Sequence, residues 1–212
     1  MLVFLLAACV PEKEATSGVL AIGDSIMDWH LEDAASIPEV AAQELGLDVR
    51  NAAIGGTQLT DGEEAIPEQY IEGDWDWVLI DGGANDLNDQ CECGDCDDLL
   101  DEISAADGSS GVLPMLVDRI VDDGHNIVLV GYYNIPEEAE GFEGCNTPIT
   151  ELNTRQRNIA ESREGVWFVS PRDVVQPDNL EMYDDDLIHP SVEGSRVIGE
   201  HIATFIQSID AE

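Results

Sequence analysis

Short apolar runs alternate with amphipathic stretches along most of the chain. The first run, Val19 to Ile22, is wholly apolar and is ended by Gly23, as expected for a strand buried on both faces. Four further candidate strands follow at residues 48–54, 75–83, 126–133 and 166–170. Because helical patterns separate these strands, the sequence predicts an α/β fold with a parallel five-stranded sheet.

Helical patterns occupy most of the connections between the strands. Ser36 and Glu39 have the spacing of a capping box and predict the start of a helix. Further helices are predicted within residues 112–124 and 150–165. The last helix is expected to begin near Ser191 and to carry a buried apolar stripe formed by Ile198, Ile202, Phe205 and Ile206.

Two segments show neither the helical nor the strand periodicity of apolar residues, and they are expected to be long loops. They are residues 86–108 and 134–149. Both contain cysteine, and a disulfide between them would join the two segments over the carboxyl edge of the sheet. Oxygen ligands in the first segment could bind Ca²⁺, but their spacing is not that of an EF-hand loop. A solvated acidic loop is therefore favoured for Asp86, Asn88, Asp89, Asp95, Asp97 and Asp98.

The N-terminal apolar run ends at Cys9 and is far shorter than the roughly 20 residues that a membrane-spanning helix needs. Such a run followed by small residues is typical of a secretory signal. The sequence Leu-Ala-Ala-Cys resembles the lipobox of bacterial lipoproteins, which implies lipidation of Cys9, although basic residues before the run are missing. We expect residues 1–8 to be a signal peptide, 9–17 a linker and 18–212 the folded domain. The protein would then be exported and held at the periplasmic or cell surface by a lipid anchor.

Four cysteines remain when Cys9 is set aside, and an even number is typical of disulfides in an exported domain. They are Cys91, Cys93, Cys96 and Cys145. Two disulfides are predicted, and three pairings stay open. A four-thiolate zinc site is the alternative, but the spacing C-x-C-x₂-C differs from that of two C-x₂-C pairs.

The chain is strongly acidic, with 46 Asp and Glu against 8 Lys and Arg, a formal net charge of −38, and Lys13 as its only lysine. A field of this sign repels nucleic acid, anionic membrane surfaces and multiply charged acyl carriers, and it favours neutral or cationic substrates. The carboxylates are spread along the whole chain, which indicates a solvated shell suited to a salty medium rather than one acidic binding face.

Polar or glycine residues follow four of the predicted strands, at Gly23-Asp24-Ser25, at "NAAIGGTQ", at "GGAND" and at "DDDLIHPS". Because the carboxyl ends of parallel strands share one edge, these segments can meet. Acyl transfer needs a nucleophile, a base, an orienter for the base and oxyanion donors. Ser25, His189 and Asp186 can fill the first three roles, although Ser25 could instead cap the next helix. The N–H groups of Ser25 and Gly56 and the Asn85 amide can be the donors.

These segments resemble the blocks of the SGNH hydrolases, also called GDSL-type esterases and lipases. The blocks are Gly23-Asp24-Ser25-Ile26, "NAAIGGT", Gly83-Ala84-Asn85-Asp86 and Asp186-Leu187-Ile188-His189, in the family's order and over residues 18–208. The resemblance implies a flavodoxin-like three-layer α/β/α fold with Ser25 as nucleophile, His189 paired with Asp186, and Gly56 and Asn85 in the oxyanion hole. Gly55 is the alternative to Gly56 in that role.

The sequence thus predicts a serine hydrolase that cleaves carboxylic esters of small molecules or glycans, as a monomer and without metal or organic cofactor. A carbohydrate O-acetylesterase is the alternative within hydrolases, and an inactive binding protein of the same fold is the alternative outside them. Trp29 and His30 lie soon after Ser25 and could line the pocket, but a structural role is favoured for them.

Overall fold

The structure is a computed structural model that describes residues 18–209 and 211. The predicted signal peptide, Cys9 and the linker lie outside the described residues. Within the described part, no helix is both long enough and apolar enough to cross a membrane.

The described residues contain a five-stranded sheet in the order β2-β1-β3-β4-β5. Its strands are β1 (Gly18–Ile22), β2 (Asp48–Asn51), β3 (Trp77–Ile80), β4 (Asn126–Val130) and β5 (Val166–Val169). Every neighbouring pair is parallel. All residues of β1 and β3 are buried, which confirms that the apolar runs are central strands.

Seven α-helices surround this sheet in the described residues and complete a three-layer α/β/α fold, which confirms the predicted class. They are α1 (Ser25–Asp28), α2 (Ile37–Leu45), α3 (Ala84–Cys91), α4 (Asp97–Ile103), α5 (Val112–Asp122), α6 (Asn146–Glu161) and α7 (Val192–Ile209). Helices α2 and α7 pack on each other, and α3 contacts both α4 and α6. Ile198, Ile202 and Ile206 of α7 are fully buried, and Phe205 is partly buried, as the apolar stripe predicts.

The chain order of the strands reverses direction between β1 and β3. From β1 the chain moves outward to β2, and it then returns to the other side of β1 to build β3, β4 and β5. In open parallel sheets a crevice forms at such a switch point, outside the carboxyl ends of the strands. The segments after β1 and β3, which carry Ser25 and Asn85, therefore flank this crevice.

The expectation of two long loops is wrong for much of the first segment. Helices α3 and α4 lie within or across residues 86–108, and α6 begins at Asn146, inside the second segment. Helices α3 and α4 have only 8 and 7 residues, so each contributes too few apolar positions to show a period among the acidic residues. The spacing of the buried residues in α4 is nevertheless that of a helix, since α4 buries Leu99, Leu100 and Ile103.

The capping-box prediction is wrong in its hydrogen bonds, although Ser36 does stand at the N-cap of α2. The Ser36 side chain makes no cap hydrogen bond. Instead its Oγ accepts a hydrogen bond from Nδ2 of Asn51, at 3.2 Å, at the end of the neighbouring strand β2. A tertiary partner therefore replaces the local one.

The four cysteines form two disulfide-distance pairs. Cys91 lies opposite Cys96 with 5.4 Å between their Cα atoms, and Cys93 lies opposite Cys145 with 4.8 Å. The second pair joins the two segments that lacked a period, as anticipated. Since each cysteine is paired, the arrangement supports disulfides over the zinc alternative.

Candidate active site

Two distant strand ends bring Ser25 and His189 together. Ser25 follows β1, and His189 precedes α7. The Oγ atom of Ser25 lies 2.8 Å from Nε2 of His189, and Nδ1 of the same ring lies 2.5 Å from Oδ2 of Asp186. This geometry lets Nε2 accept the hydroxyl proton of Ser25 while Asp186 accepts the Nδ1 proton.

The turn between Asp186 and His189 positions this carboxylate. Its Oδ1 atom accepts hydrogen bonds from the backbone N–H groups of Ile188 and His189, both at 2.9 Å. Leu187 adopts a left-handed conformation with φ of 59°, which closes the turn. Partial burial alone would raise the pKa of Asp186, but the hydrogen bonds from the His189 ring and from the two N–H groups outweigh it and lower the pKa. Asp186 is therefore held in its charged form.

Ser25 is the first residue of α1 and not its cap. The cap is Asp24, whose Oδ1 atom accepts a hydrogen bond of 3.0 Å from the N–H of Ile26. Gly23 is required before it because a Cβ atom there would lie 1.6 Å from Oδ1 of Asp81. The helix-cap alternative for Ser25 is thus wrong, and its hydroxyl is directed to His189.

The residues expected to form an oxyanion hole, Ser25, Gly56 and Asn85, line the same pocket. The backbone N–H groups of Ser25 and Gly56 make no hydrogen bond with the residues that the structure describes. By contrast, Gly55 donates its N–H to Oδ2 of Asp28 at 3.2 Å, which favours Gly56 over Gly55 as a donor. Asn85 donates one amide hydrogen to the Thr57 carbonyl at 3.0 Å and has a second left over.

A pocket of about 330 Å³ opens onto these groups. Ser25, His189, Gly56 and Asn85 line it together with apolar and aromatic side chains. A concave, mostly apolar pocket with a few convergent polar groups is the usual form of a small-molecule site.

The sequence around these residues matches the profile of a known family. A profile of the GDSL-like lipase/acylhydrolase family matches residues 21–197, which include every residue of the candidate site. The chain belongs to this family. No curated protein is similar enough in sequence to match it.

Solved structures of esterases share the fold of this family member at low sequence identity. A carbohydrate acetylesterase from Sinorhizobium meliloti is 16% identical with a TM-score of 0.66, over 91% of this chain and 99% of that one. An aryl esterase from M. smegmatis is 17% identical with a TM-score of 0.64, over 91% and 99%. A family 3 carbohydrate esterase from Clostridium thermocellum is 16% identical with a TM-score of 0.62, over 92% and 98%.

Beneath Ser25, this GDSL-like family member buries two carboxyl groups side by side. Asp24 and Asp81 are each 1% exposed, and Oδ1 of Asp81 accepts the N–H of Asp24 at 3.0 Å. The hydroxyl of Tyr132 donates to Oδ2 of Asp24 at 2.6 Å. Burial raises the pKa of Asp24, although the Tyr132 and Ile26 hydrogen bonds oppose it. Burial and the neighbouring Asp24 charge raise the pKa of Asp81 well above its ordinary value.

The sequence analysis missed Asp81, Tyr132 and Tyr133, although a signal for them was present. Asp81 stands directly after β3, and the two tyrosines come shortly after β4. Polar residues at the ends of the other strands were used to find the site, but those of β4 were not. The same rule would have found the two tyrosines after β4, whereas Asp81 directly precedes the segment "GGAND" to which the rule was already applied.

Trp29 lines the pocket, which the sequence analysis considered less favoured than a structural role. Its indole stacks on the ring of His189. His30 lies outside the pocket lining, and its Nε2 atom lies 3.1 Å from the Pro190 carbonyl oxygen. The structural interpretation therefore fits His30, whereas Trp29 both lines the pocket and packs on His189.

The expectation of a solvated acidic residue is wrong for Asp86, the first carboxylate of the first cysteine-bearing segment. Asp86 is fully buried, and its two oxygens accept hydrogen bonds from the N–H groups of Leu59 and Thr60 and from the Thr60 hydroxyl. Among the described residues, no group of three or more His, Cys, Asp or Glu side chains has the geometry of a metal site.

Proposed function

We propose that this protein is a serine esterase that hydrolyses carboxylic esters through an acyl-enzyme. The observation that carries the proposal is the chain of contacts Ser25–His189–Asp186, with 2.8 and 2.5 Å between the joined atoms, at the mouth of an apolar pocket. Membership of the GDSL-like lipase/acylhydrolase family supports the same reaction class.

In the first half-reaction, Oγ of Ser25 attacks the ester carbonyl while Nε2 of His189 takes its proton. Asp186 holds the ring in the tautomer that leaves Nε2 free to accept, and it stabilises the positive charge that forms. His189 then donates the proton to the leaving alcohol, and the acyl group remains on Ser25. In the second half-reaction His189 takes a proton from water while the water oxygen attacks the acyl carbonyl. The bond between the acyl carbon and Oγ of Ser25 then breaks, His189 returns the proton to Oγ, and the acid is released.

The negative charge on the carbonyl oxygen in the transition state requires donors that are already in place. The N–H groups of Ser25 and Gly56 and the free amide hydrogen of Asn85 would supply three. In comparable enzymes the loss of one such donor lowers kcat by about 10²–10³-fold. Gly56 has φ of 79°, a conformation that glycine adopts without strain, so its N–H can be directed into the pocket.

The proposal is tested by labelling purified residues 18–212 with a fluorophosphonate probe and by assaying p-nitrophenyl butyrate. Both signals should be present in the wild type and lost in Ser25→Ala. Ser191→Ala is a matched control, because Ser191 caps α7 by accepting the Gly194 N–H and lies outside the pocket lining. A folded wild type that is neither labelled nor active would instead support a binding protein that keeps the fold without the chemistry.

A carbohydrate O-acetylesterase is the second candidate, because two of the structures that share the fold are named as carbohydrate esterases. Release of acetate from acetylated xylan or chitin oligosaccharides would support it. The apolar lining of the pocket favours simple esters over glycans, since a sugar would need more polar partners than the lining offers.

Neutral esters are the expected substrates within either class. The net charge of −38 repels anionic substrates at low ionic strength. At equal acyl length, acyl-coenzyme A should therefore be hydrolysed more slowly than an uncharged ester, and the difference should shrink as salt is added. Equal rates at low salt would contradict this expectation.

Export, lipidation of Cys9 and a monomeric state complete the proposal. The two disulfide-distance cysteine pairs fit an oxidising compartment. Mass spectrometry of the membrane fraction tests the anchor, because Cys9 should carry lipid and a free Cys9 thiol would contradict it. Sedimentation of the soluble domain tests the monomer.

A further inference from the structure

The pocket beside Ser25 is free of exposed charge, in a chain with 46 acidic residues. Most of its lining beyond the polar groups is apolar or aromatic, namely Ile26, Trp29, Tyr133, Ile135, Phe142, Ile149 and Ile188. Among the described residues that line it, Asp24 alone is acidic. Its carboxylate oxygens accept hydrogen bonds from the Ile26 N–H and from the Tyr132 hydroxyl, so they are not offered to a ligand.

One segment of the chain, residues 134–149, supplies much of this apolar wall. It contributes Ile135, Phe142 and Ile149 to the lining. The same segment carries four exposed acidic residues, Glu137, Glu138, Glu140 and Glu143. It therefore directs apolar side chains into the pocket and carboxylates to the solvent, which is the division expected of a wall that binds an uncharged group.

The two ends of this wall are anchored by side chains. The amide of Asn146 donates to the carbonyl of Ile135 and accepts from its N–H, both at 2.8 Å. The hydroxyl of Tyr183 donates to the Asn134 carbonyl at 2.7 Å. Between these anchors the backbone hydrogen bonds found are local, such as that from Cys145 N–H to the Phe142 carbonyl at 3.2 Å. Phe142 packs on the hydrophobic core, and a covalent link close to it would add to these contacts.

The pair Cys93–Cys145 provides that link. Cys145 is fully buried and lies three residues after Phe142. Cys93 follows α3, the helix that carries Asn85 near its start. The disulfide therefore joins the segment of the apolar wall to the helix of a proposed oxyanion donor, across 52 residues of sequence.

We infer that this pocket binds the acyl group of uncharged esters with an apolar acyl chain of several carbons, and that the disulfide-held segment 134–149 sets the accepted length. The inference rests on the proposed ester hydrolysis. A pocket of about 330 Å³ exceeds what an acetyl group fills. It is also near the lower end of the range of about 300–1,000 Å³ for small-molecule sites, which favours compact substrates.

The first test compares kcat/KM for p-nitrophenyl acetate, butyrate, hexanoate and octanoate. Each added methylene that enters the apolar wall should raise kcat/KM by up to about fourfold until the pocket is filled. In Phe142→Ala the hexanoate-to-acetate ratio should fall by about tenfold, because the longer chain loses its contact. Phe205→Ala makes the same chemical change on α7, outside the pocket lining, and should keep the wild-type ratio. An unchanged or increased ratio in Phe142→Ala overturns the inference.

The second test removes one disulfide at a time. Cys93→Ser/Cys145→Ser should lower the hexanoate-to-acetate ratio while acetate hydrolysis persists, because the wall loosens and the Ser25–His189 pair does not. Cys91→Ser/Cys96→Ser is the matched control, since that pair spans only 5 residues outside the wall. Equal ratios in the two double variants would overturn the role of the disulfide. Circular dichroism checks folding, and the Phe142→Ala result stands independently of it.

Fluorophosphonate labelling separates the failure of this inference from the failure of the proposed function. A wild type that is labelled at Ser25 but hydrolyses acetate best keeps the esterase proposal and overturns the acyl-chain inference. A folded wild type that is neither labelled nor active overturns both.

Discussion

The indole of Trp29 lies flat against the imidazole of His189, with 3.7 Å between the ring centroids and 5° between the ring planes. Its Nε1–H donates to Oδ2 of Asp184 at 2.8 Å, and this hydrogen bond lowers the pKa of that carboxyl. The backbone N–H of Asp184 in turn donates to the His189 carbonyl at 2.8 Å. Trp29 therefore fixes both the plane of the His189 ring and the loop that carries it.

Replacing Trp29 by leucine should lower kcat/KM for p-nitrophenyl butyrate by about tenfold. An aromatic face against a ring that becomes positively charged in the reaction is worth up to about 2 kcal/mol when shielded from water. Trp29→Phe keeps an aromatic face but loses the hydrogen bond to Asp184, so it should lie between the wild type and Trp29→Leu. Equal kinetics in the wild type and Trp29→Leu would contradict this role.

Asp186→Asn should lower kcat by about 10³–10⁴-fold, because an amide next to Nδ1 favours the tautomer in which Nε2 cannot accept the Ser25 proton. The Asn oxygen can still accept the two backbone N–H groups, so the fold should persist. Asp185→Asn is the control, since Asp185 is the exposed neighbour in the same run of aspartates. Comparable losses in both variants would show that the run acts through its total charge.

Asp81→Asn should stabilise the protein increasingly as the pH rises. The pKa of Asp81 is raised in the folded state by burial and by Asp24, relative to 3.8 in the unfolded chain. A raised pKa contributes stability that is complete below the unfolded value and is lost as the pH rises through the folded value. Asparagine does not ionise, so the variant does not lose stability in this way as the pH rises. Its side-chain oxygen can still accept the hydrogen bond from the Asp24 N–H. Urea unfolding from about pH 4 to 8 measures the difference. Asp74→Asn, at an exposed site, is the control, and a gain independent of pH would contradict the argument.

The two disulfides should contribute unequally to the free energy of unfolding. Loop-closure entropy predicts about 4 kcal/mol for Cys93–Cys145 and about 2 kcal/mol for Cys91–Cys96, because the first closes 52 residues and the second 5. Urea unfolding of the two Cys→Ser double variants tests the order of the two losses. A larger loss on removing Cys91–Cys96 would show that strain or contacts outweigh loop entropy.

Added NaCl should raise the melting temperature of the wild type. The net charge of −38 makes the folded state repel itself. The Debye length falls from about 10 Å at 0.1 M salt to about 3 Å at 1 M, which screens this repulsion. Scanning calorimetry over that range measures the shift. A constant melting temperature over this range would contradict the expectation that charge repulsion destabilises the folded state.

The sequence predicted the central strands β1 and β3 well because all their residues are buried, whereas β2 at the sheet edge is exposed or half-buried along its length. All residues of β1 are apolar or glycine, and such a run has few alternatives to a central strand. Prediction failed where tertiary contacts decide. Helices α3 and α4 are too short for a clear period, and their stability comes from packing on neighbouring helices. Ser36 lost its capping bond to a partner on β2 that local spacing could not reveal.

The sequence by itself determined the α/β class, the parallel sheet and the residues of the candidate site, because polar residues after buried strands must collect at one edge. Only the tertiary structure decided how those residues meet. It alone showed that Gly55 donates its N–H to Asp28, that Trp29 stacks on His189, and which cysteines pair. The physical reason is that buried strands and helices require apolar residues at regular positions, and this pattern can be read along the chain. A contact between residues far apart in sequence, by contrast, depends on distances and orientations that no local pattern contains.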